Sequence, residues 1–516
     1  MNEAPNKWMI ALTVMLPTLM VIVDSSVVNV ALSHIRGSLS AGIDESTWSI
    51  TSYLAANAVV IPLTGWLSRL VGRKRYLILS IILFTMSSLF CGMAWNIESL
   101  VFFRVLQGLA GGSLQPISQS VLLESFPRSQ HGIAMAIFGG GVMFGPIIGP
   151  LLGGWITDNW SWHWIFFVNV PIGIVCVLLT LMFVFDPPYM KRMKMKIDYP
   201  GLITLAFWVG ALQMILDRGQ GKDWFSSGFI VSLAVVSFVA FGLFLILEYY
   251  GETPVVDLHV LKNPSFAIGT AVMFFVMMNL FGSIVLLPVY VQNLMGYTAF
   301  LAGLVLAPGG ISSLIAMPVA GILVSRMNPK LIAATGILLV SYSTYLMSRF
   351  TLDADFYSIL WPRVVMGVGM GFTFIPLTTL TLSHLPREMM TNATSIYNLV
   401  RNIGGSFGVA IAATILTRRA QFHQARMTEH LTPFDFSYLS EEGEISRILD
   451  VQGAGSWFAG EGGGGVIYEQ LLRQSSMFSF NDVFFSLSVA LVLMVPLVFL
   501  MKHGDHGDEP AIPPAE

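Results

Sequence analysis

The sequence predicts an all-α, polytopic membrane protein of fourteen transmembrane helices, built as two parallel six-helix bundles with two further helices inserted between them. Three observations predict this fold class. Of the 516 residues, 54% are hydrophobic and only 11% are charged, and the mean hydropathy is +0.71. Apolar runs of roughly 20 residues, enough to cross a hydrocarbon core of about 30 Å, recur along the chain. Several motifs also recur at a nearly constant offset.

The composition excludes several classes of function. A water-soluble enzyme does not tolerate so large an apolar share. With 27 basic and 30 acidic residues, the chain offers no basic surface for a phosphate backbone, so nucleic acid is not an expected partner. Cys91 and Cys176 lie inside apolar runs, which favours buried thiols over a disulfide or a metal site. We find no Walker A motif, no HExxH pair and no large hydrophilic domain, and expect no enzymatic activity, metal or cofactor; a membrane-embedded enzyme or receptor is the competing class.

Fourteen apolar runs follow one another along the chain. The first has no A-x-A cleavage site and continues directly into the membrane pattern, so we expect an uncleaved span. The runs begin near Trp8, Trp48, Tyr76, Leu100, His131, Trp164, Pro200, Phe229, Phe266, Ala299, Leu331, Trp361, Thr391 and Val483.

Basic residues in the short loops predict the orientation. Clusters follow spans 2, 6 and 10, and the positive-inside rule assigns these loops to the cytoplasm. An even number of spans then places both termini in the cytoplasm and the long loop 419–480 outside. The glycine run Gly460–Gly465 in that loop predicts a flexible hinge or disorder. The clusters are Arg69, Arg73, Lys74 and Arg75; Lys191, Arg192, Lys194 and Lys196; and Arg326 and Lys330.

An internal repeat divides the chain. Arg363 and Gly367 lie 259 positions after Arg104 and Gly108, and Gly404 lies 259 positions after Gly145. We therefore predict a bundle at 1–186, an inserted pair with linkers at 187–264, a second bundle at 265–502 that includes the loop 419–480, and a cytoplasmic tail at 503–516. Parallel halves are typical of secondary transporters, with the substrate site between them. The alternative is that glycines simply recur, as in many polytopic proteins.

Asp24 and Arg104 are charged residues inside spans. Asp24 lies roughly 24 Å along span 1 from Trp8 at 1.5 Å per residue. A carboxylate there costs about 2.5–3.5 kcal/mol on insertion scales and is a functional candidate by default. Arg104 lies at a similar depth in span 4, so a contact is possible geometrically. The alternatives are a static ion pair or a carboxyl near the interface for Asp24, and snorkelling to the outer interface for Arg104. Asp24 maps onto Leu280 or Ser283, so a proton-titrating role belongs to the first half alone.

Span 5 carries a glycine stripe. Gly141, Gly145, Gly149 and Gly153 recur every four residues, with Pro146 among them. Such a stripe lets a neighbouring backbone approach closely, and proline bends a helix. This pattern suits a hinge or a seal between the halves, and close packing without gating is the alternative.

Candidates for the substrate cavity come mainly from spans 9 and 13. Flexible thioether and aromatic side chains suit a pocket for several apolar shapes, although such residues also face lipid or core. Arg401 lies at mid-depth in span 13 and meets an anionic substrate, a carboxylate or backbone carbonyls; the sequence leaves these alternatives open. The cavity candidates are Asn29, Gln115, Phe275, Met278, Asn279 and Arg401.

Several segments together resemble the fourteen-helix drug:proton antiporter branch of the major facilitator superfamily, the EmrB/QacA type. The resemblance covers nearly the whole chain and implies the major facilitator fold, with Asp24 and Arg104 in proton coupling and Gly141–Gly154 as the antiporter motif. The segments are Asp24–Leu32, Arg104–Gly108, Gly141–Gly154, Trp164–Gly173, Leu216–Gly219 and Asp223–Phe225.

The cytoplasmic loop motif departs from the family pattern. It includes Gly65, Arg69, Gly72 and Arg73, and Arg69 stands where the family has an acidic residue. The resemblance therefore does not imply a carboxylate-based latch at this loop, although the glycines and basic residues still suit packing of an inward gate.

The resemblance implies a proton-coupled antiporter that exports hydrophobic or amphiphilic toxic compounds by alternating access. It also implies a multi-pass protein of a bacterial inner membrane, a periplasmic membrane-fusion adaptor and an outer-membrane channel. The outer loop and the inserted spans are the expected contact surfaces. The alternative is a proton-coupled exporter of one endogenous metabolite, siderophore or fatty acid.

Overall fold

The computed structural model describes residues 6–127, 130–186, 198–251, 254–429, 431–432, 434–451 and 456–501, apart from some side chains within these ranges. This part of the chain is helical throughout. The first group of helices comprises α1 (Lys7–Ser38), α2 (Ile43–Val71), α3 (Arg73–Gly92), α4 (Ile97–Gly111), α5 (Leu114–Ser125), α6 (His131–Asn159), α7 (Trp164–Phe167) and α8 (Asn169–Phe183).

Two helices, α9 (Tyr199–Arg218) and α10 (Gly228–Tyr250), pack against each other and separate the two groups along the chain. α9 also contacts both α2 and α15. The second group comprises α11 (Pro264–Asn293), α12 (Ala299–Val324), α13 (Pro329–Met347), α14 (Phe356–Leu382), α15 (Met390–Thr428), α16 (Phe436–Val451), α17 (Ser456–Val492) and α18 (Val495–Leu500).

Local sequence explains where several helices begin. Asn263 and Asn328 each cap a helix by accepting a hydrogen bond from a backbone N–H two residues on, at 3.0 Å in both cases. Pro264 and Pro329 follow at the first helical position, where a missing N–H costs nothing. The same Asn-Pro signal thus starts α11 and α13.

Twelve helices within the described ranges are long and apolar enough to cross a membrane. The expected count of fourteen is not confirmed by this criterion, because the fourth and fifth predicted spans fall outside the set. The fourth is divided into α4 and α5, of 15 and 12 residues. The fifth corresponds to α6, which is helical over 29 residues.

Burial distinguishes central from peripheral helices. In α14, 72% of the residues in the most apolar stretch are buried, whereas in α10 only 22% are buried. An apolar helix with that little protein contact is suited to face lipid. The central helix α14 packs extensively on α12 and α13.

The segment predicted as a long outer loop is helical instead. α15 has 39 residues, about 58 Å at 1.5 Å per residue, so it continues beyond a bilayer core of about 30 Å. α16 and the first turns of α17 pack together beside this extension.

The predicted hinge at Gly460–Gly465 was also wrong, because the run lies within α17. Glycine lowers helix stability by about 1 kcal/mol per residue, so packing must compensate. A Cβ at Gly463 would lie 2.7 Å from the Glu442 carbonyl oxygen and would also meet the Ser446 hydroxyl. The glycines therefore let α16 pack closely against α17.

The glycine stripe of α6 faces α1, within the first group, and not the second half. Cβ atoms added at Gly141, Gly145 and Gly149 would collide with Met15, Ile22 and Ser26, and one at Gly153 would lie 2.9 Å from a Val27 methyl. These four glycines therefore do not themselves contact the second half, although α6 packs against α12 and α14 there, and the role of the stripe as a hinge or seal stays a prediction. The stripe joins α6 and α1 as one closely packed unit. The side chain of Pro146 lies outside the described set.

We expect Gly149→Ala to destabilise the protein by about 1–3 kcal/mol, because the added methyl overlaps the Cβ and Oγ atoms of Ser26. Gly242→Ala is the matched control, since nothing lies within 4 Å of its Cβ position in α10. The measurement is thermal unfolding of both purified variants in one detergent. Equal unfolding temperatures would contradict the close contact between α6 and α1.

Candidate functional site

Asp24 is the centre of a buried polar network in the first group. Its carboxyl lies in α1 and is 2% exposed. Arg104 Nη1 donates to Asp24 Oδ2 at 2.7 Å. Gln107 Nε2 and Asn169 Nδ2 both donate to Asp24 Oδ1, at 2.9 and 2.7 Å. Donors from α4 and α8 thus converge on one carboxylate of α1.

Arg104 makes further contacts besides its ion pair with Asp24. Its Nε donates to the Ser49 carbonyl at 3.0 Å, and its Nη1 also donates to Gln107 Oε1 at 2.8 Å. The guanidinium stacks on the ring of Tyr53, 4.0 Å from the centroid. A cation in this position gains from the ring quadrupole as well as from its ion pair. The network therefore links α1, α2 and α4 around one buried positive charge.

This geometry lets one proton change the packing of several helices. Two opposite charges in a low-dielectric site attract far more strongly than in water, and removal of one leaves the other uncompensated. Protonation of Asp24 would remove its attraction for Arg104. The same event turns an acceptor of three hydrogen bonds into a group that must also donate one. The site can thus convert protonation into a change in helix contacts.

Sequence reasoning missed four members of this network, the hydrogen-bonding residues Gln107, Asn169 and Ser49 and the stacking partner Tyr53. Gln107 follows Arg104 by three residues and so shares its helix face, which is a readable signal. Asn169 is a polar residue in an apolar span and is likewise readable. Ser49 contributes only its backbone carbonyl, and a contact of this kind cannot be predicted from the pattern of side chains.

The repeat places a different arrangement in the second half. Arg363, the counterpart of Arg104, is 5% exposed and directs Nη1 at Met366 Sδ, 3.0 Å away. Met366 lies 259 positions after Gln107, and Ser283 also contacts its sulfur at 3.4 Å. Within the described ranges, no carboxylate pairs with Arg363. The two halves share an arginine but not its acidic partner.

The cytoplasmic loop motif does contact a carboxylate, supplied from another helix. Gly72 has a φ of 95° between α2 and α3, a conformation that favours glycine. Arg73 follows and donates to Glu124 of α5 at 2.6 Å, with both side chains buried. Arg69 lies half-buried in the last turn of α2. The loop's own acidic position is basic, and Glu124 nevertheless provides an ion pair there.

The two halves pack together through α6 with α12, α2 with α15 and α5 with α15. Four hydrogen bonds join the halves between described residues, and all of them connect α5 with α15. They are Arg401 Nη2 to Gln115 Oε1 at 2.7 Å, Asn398 Nδ2 to Gln119 Oε1 at 2.6 Å, Ser120 with Thr391 at 2.9 Å, and Thr394 to the Pro116 carbonyl at 3.2 Å.

Glycines complete this contact. A Cβ at Gly132 of α6 would lie 2.6 Å from the Gly321 carbonyl of α12, and one at Gly65 of α2 would lie 3.0 Å from Asn392 Cα. Like the α5–α15 bonds, these contacts lie between mid-depth and the face that the positive-inside rule assigns to the cytoplasm. In the described part of the chain, the two halves are therefore in contact on that face.

The cavity candidates separate into two sets. Gln115 and Arg401 touch each other. Asn279 lies inside the second group, where its Nδ2 donates to the Leu487 carbonyl at 3.1 Å and to Thr344 at 3.3 Å. Its Oδ1 is buried without a hydrogen-bond partner, and its place in the cavity stays a prediction. The Met278 backbone lies against Gly408 of α15.

Two further cavity candidates are Phe275 and Asn29. Phe275 is half-buried and packs edge-on against Phe274, with centroids 5.4 Å apart. The side chain of Asn29 lies outside the described set.

Residues 14–409 match the family model of the Major Facilitator Superfamily. The chain belongs to this superfamily. The transporter is 37% identical over 489 residues to the Multidrug export protein EmrB of Escherichia coli K12, covering 94% of each chain. It is 35% identical over 504 residues to the Fatty acid resistance protein FarB of Neisseria gonorrhoeae, covering 96% of each chain. The predicted likeness to EmrB-type exporters is confirmed.

The crystal structure of the human organic anion transporter MFSD10 superposes on the transporter with a TM-score of 0.58 at 11% identity, covering 94% of this chain and 100% of that one. At this identity the likeness concerns the fold alone, and it confirms the all-helical major facilitator fold. Members of the superfamily are transporters and not enzymes, as predicted. The protein is thus a multi-pass membrane transporter with bacterial relatives of the EmrB type.

Proposed function

We propose that this transporter is a proton-coupled multidrug efflux antiporter that exports hydrophobic or amphiphilic toxic compounds by alternating access. We further propose fourteen spans in a bacterial inner membrane, both termini in the cytoplasm, and the domain division at 1–186, 187–264, 265–502 and 503–516. The observation that carries the proposal is the buried carboxylate of Asp24, paired with Arg104 at 2.7 Å. An ionisable residue inside the membrane is a functional-site candidate by default, and buried carboxylates serve as proton relays in pumps and transporters.

Protonation from outside starts the proposed cycle. A neutral Asp24 releases Arg104, and this favours the state that opens toward the cytoplasm. Substrate then binds between the halves and favours loss of the proton, which restores the ion pair and the return to the outward state. Linkage requires each ligand to distinguish the two states, and a carboxyl that differs in proton affinity between them meets this requirement.

The proposed gate is the contact between α5 and α15. The Gln119–Asn398 and Ser120–Thr391 bonds hold the halves together on the predicted cytoplasmic face, and they must separate when that face opens. The stripe of α6 packs on α1, so α6 moves with the helix that carries Asp24. This supports transmission of a protonation change from Asp24 to the α6–α12 contact.

The relatives support export of toxic compounds. The EmrB relative is named for multidrug export and the FarB relative for fatty acid resistance. A second candidate function is proton-coupled export of a specific endogenous metabolite, siderophore or fatty acid, and FarB favours an acidic cargo of that kind.

We also propose that the outer extension contacts a periplasmic membrane-fusion adaptor and, through it, an outer-membrane channel. The extension is formed by the end of α15, by α16 and by the start of α17. Phe434 and Phe436 at its tip are 96% and 84% exposed. Large apolar side chains that are fully exposed outside the membrane favour contact with another protein.

The test uses purified transporter in liposomes that contain a pH-sensitive dye. If the proposal holds, ethidium or another amphiphilic dye added to liposomes with a proton gradient evokes a pH change that depends on the protein. Several unrelated compounds should do so for a multidrug exporter, whereas one compound alone would favour the second candidate. No pH change with any compound would reject proton-coupled antiport.

A further inference from the structure

Arg401 is a buried cation at mid-depth in the contact between the halves. Its side chain is 8% exposed, and Nη2 donates to Gln115 Oε1 at 2.7 Å. Nη1 is buried and has no hydrogen-bond partner. A guanidinium has five N–H donors, and a buried donor left unpaired destabilises the state that contains it. The closed state therefore leaves Arg401 only partly satisfied.

No acidic side chain in the described ranges neutralises this charge. Asp24 pairs with Arg104, and Glu124 pairs with Arg73. Both of these buried arginines belong to the first group. Arg401 in the second group faces only a neutral amide. A charge buried without a counter-ion is expensive, so a binding partner that supplies the missing negative charge is strongly favoured.

The surroundings of Arg401 are apolar on one side. Its guanidinium carbon lies 5.9 Å from the ring centroid of Phe374, which is fully buried in α14. Tyr397, one turn earlier in α15, is also fully buried and bonds to Thr378 at 2.9 Å. A cation beside aromatic surface is complementary to a molecule with an acidic headgroup and an apolar body.

We propose that Arg401 binds the ionised headgroup of amphiphilic monoanions, carboxylates in particular, and that Gln115 is the partner that this headgroup displaces. Guanidinium and carboxylate match in a planar, two-bonded geometry that a single amide oxygen does not supply. The inference rests on the proposed transport function, because it names the class of cargo.

The position of Arg401 makes this binding dependent on conformation. When the halves separate on the predicted cytoplasmic face, the Arg401–Gln115 bond between them breaks and the guanidinium becomes available to cargo. A bound carboxylate then takes the place of Gln115 as the acceptor of Nη2 while the halves close around the cargo. Release on the opposite side restores the Gln115 bond. Anionic cargo thus binds the two states differently, as alternating access requires.

The experiment measures equilibrium binding of 2-naphthoate and 2-naphthamide to the purified full chain in lipid nanodiscs by probe fluorescence. The two probes share one ring system and differ in charge. We expect the anion to bind at least about tenfold more tightly than the amide, in line with a charge-assisted contact. Arg401→Gln should remove this preference and leave amide binding unchanged.

Two further variants separate recognition from structure. Gln115→Ala removes the competing partner but keeps the charge, so it should bind naphthoate as tightly as the unmodified protein or more tightly. Arg349→Gln, an exposed arginine in the loop after α13, is the matched control and should change neither affinity. If Arg401→Gln weakens both probes equally, or if Arg401→Gln and Arg349→Gln behave alike, the proposal is overturned.

Different results reject the anion site at Arg401 and proton-coupled antiport. If ethidium evokes a pH change in liposomes while naphthoate has no binding advantage over naphthamide, the anion site is rejected and antiport stands. If neither probe nor ethidium evokes a pH change while Arg401 still confers selective naphthoate binding, antiport is rejected and the anion site stands.

Discussion

Asp24→Asn is expected to reduce proton-driven efflux of an amphiphilic dye by at least about a hundredfold, a loss that corresponds to nearly 3 kcal/mol of coupling. Asparagine keeps the size of the side chain and most of the hydrogen bonds around Asp24, but it carries no charge and exchanges no proton. Arg104 then has no carboxylate partner at position 24 in either state. The protein should fold and bind dye, while a pH gradient no longer drives transport in vesicles.

The matched control for this prediction is Asp158→Asn. Asp158 lies near the predicted outer end of α6 with its side chain 70% exposed, and the His34 ring nitrogen Nε2 lies 3.9 Å from its carboxylate. Surface pairs of this type contribute about 0–1 kcal/mol. Efflux by the control should equal that of the unmodified transporter. Full efflux by Asp24→Asn would show that another group carries the proton.

Arg104→Gln is expected to destabilise the transporter by about 3–5 kcal/mol, because it leaves the carboxylate of Asp24 buried without a counter-charge. Gln107 and Asn169 still donate to Asp24, at 2.9 and 2.7 Å, but neutral amides do not replace the ion pair. The measurement is the shift in unfolding temperature of purified protein, with retained dye binding as the check on the folded fraction.

The double variant Asp24→Asn/Arg104→Gln separates stability from coupling. Removal of both charges replaces the ion pair with neutral, hydrogen-bonding groups, so much of the lost stability should return. Proton-driven efflux should stay absent, because no titrating group remains. A double variant as unstable as the sum of the two single variants would contradict a direct Asp24–Arg104 interaction.

Hydropathy and the 259-residue repeat were enough to predict the helical membrane fold, because bilayer thickness fixes the length of each span. They located the charged residues of the first group for the same reason: few charges occur inside apolar runs. The residues that orient Asp24 were harder to find. Gln107 and Asn169 are ordinary amides until the helices that carry them are packed together, and Ser49 acts through its carbonyl.

Long-range packing explains the other differences between the sequence-based expectations and the structure. The span 5 glycines correctly predicted a close neighbour but not which one, because a small-residue stripe carries no information about its partner. The run Gly460–Gly465 has the composition of a hinge, yet it is helical, and Gly463 and Gly464 within it pack against α16. Asn279 is polar in an apolar span, like Asn169, yet it bonds neighbouring helices at Thr344 and Leu487.

The most direct test of proton coupling is the release of protons when dye binds to purified transporter in lightly buffered detergent solution. Proton exchange at Asp24 predicts release by the unmodified protein as the carboxyl deprotonates, a smaller release as the starting pH rises, and none from Asp24→Asn. The same release from Asp24→Asn and from the unmodified transporter would contradict it.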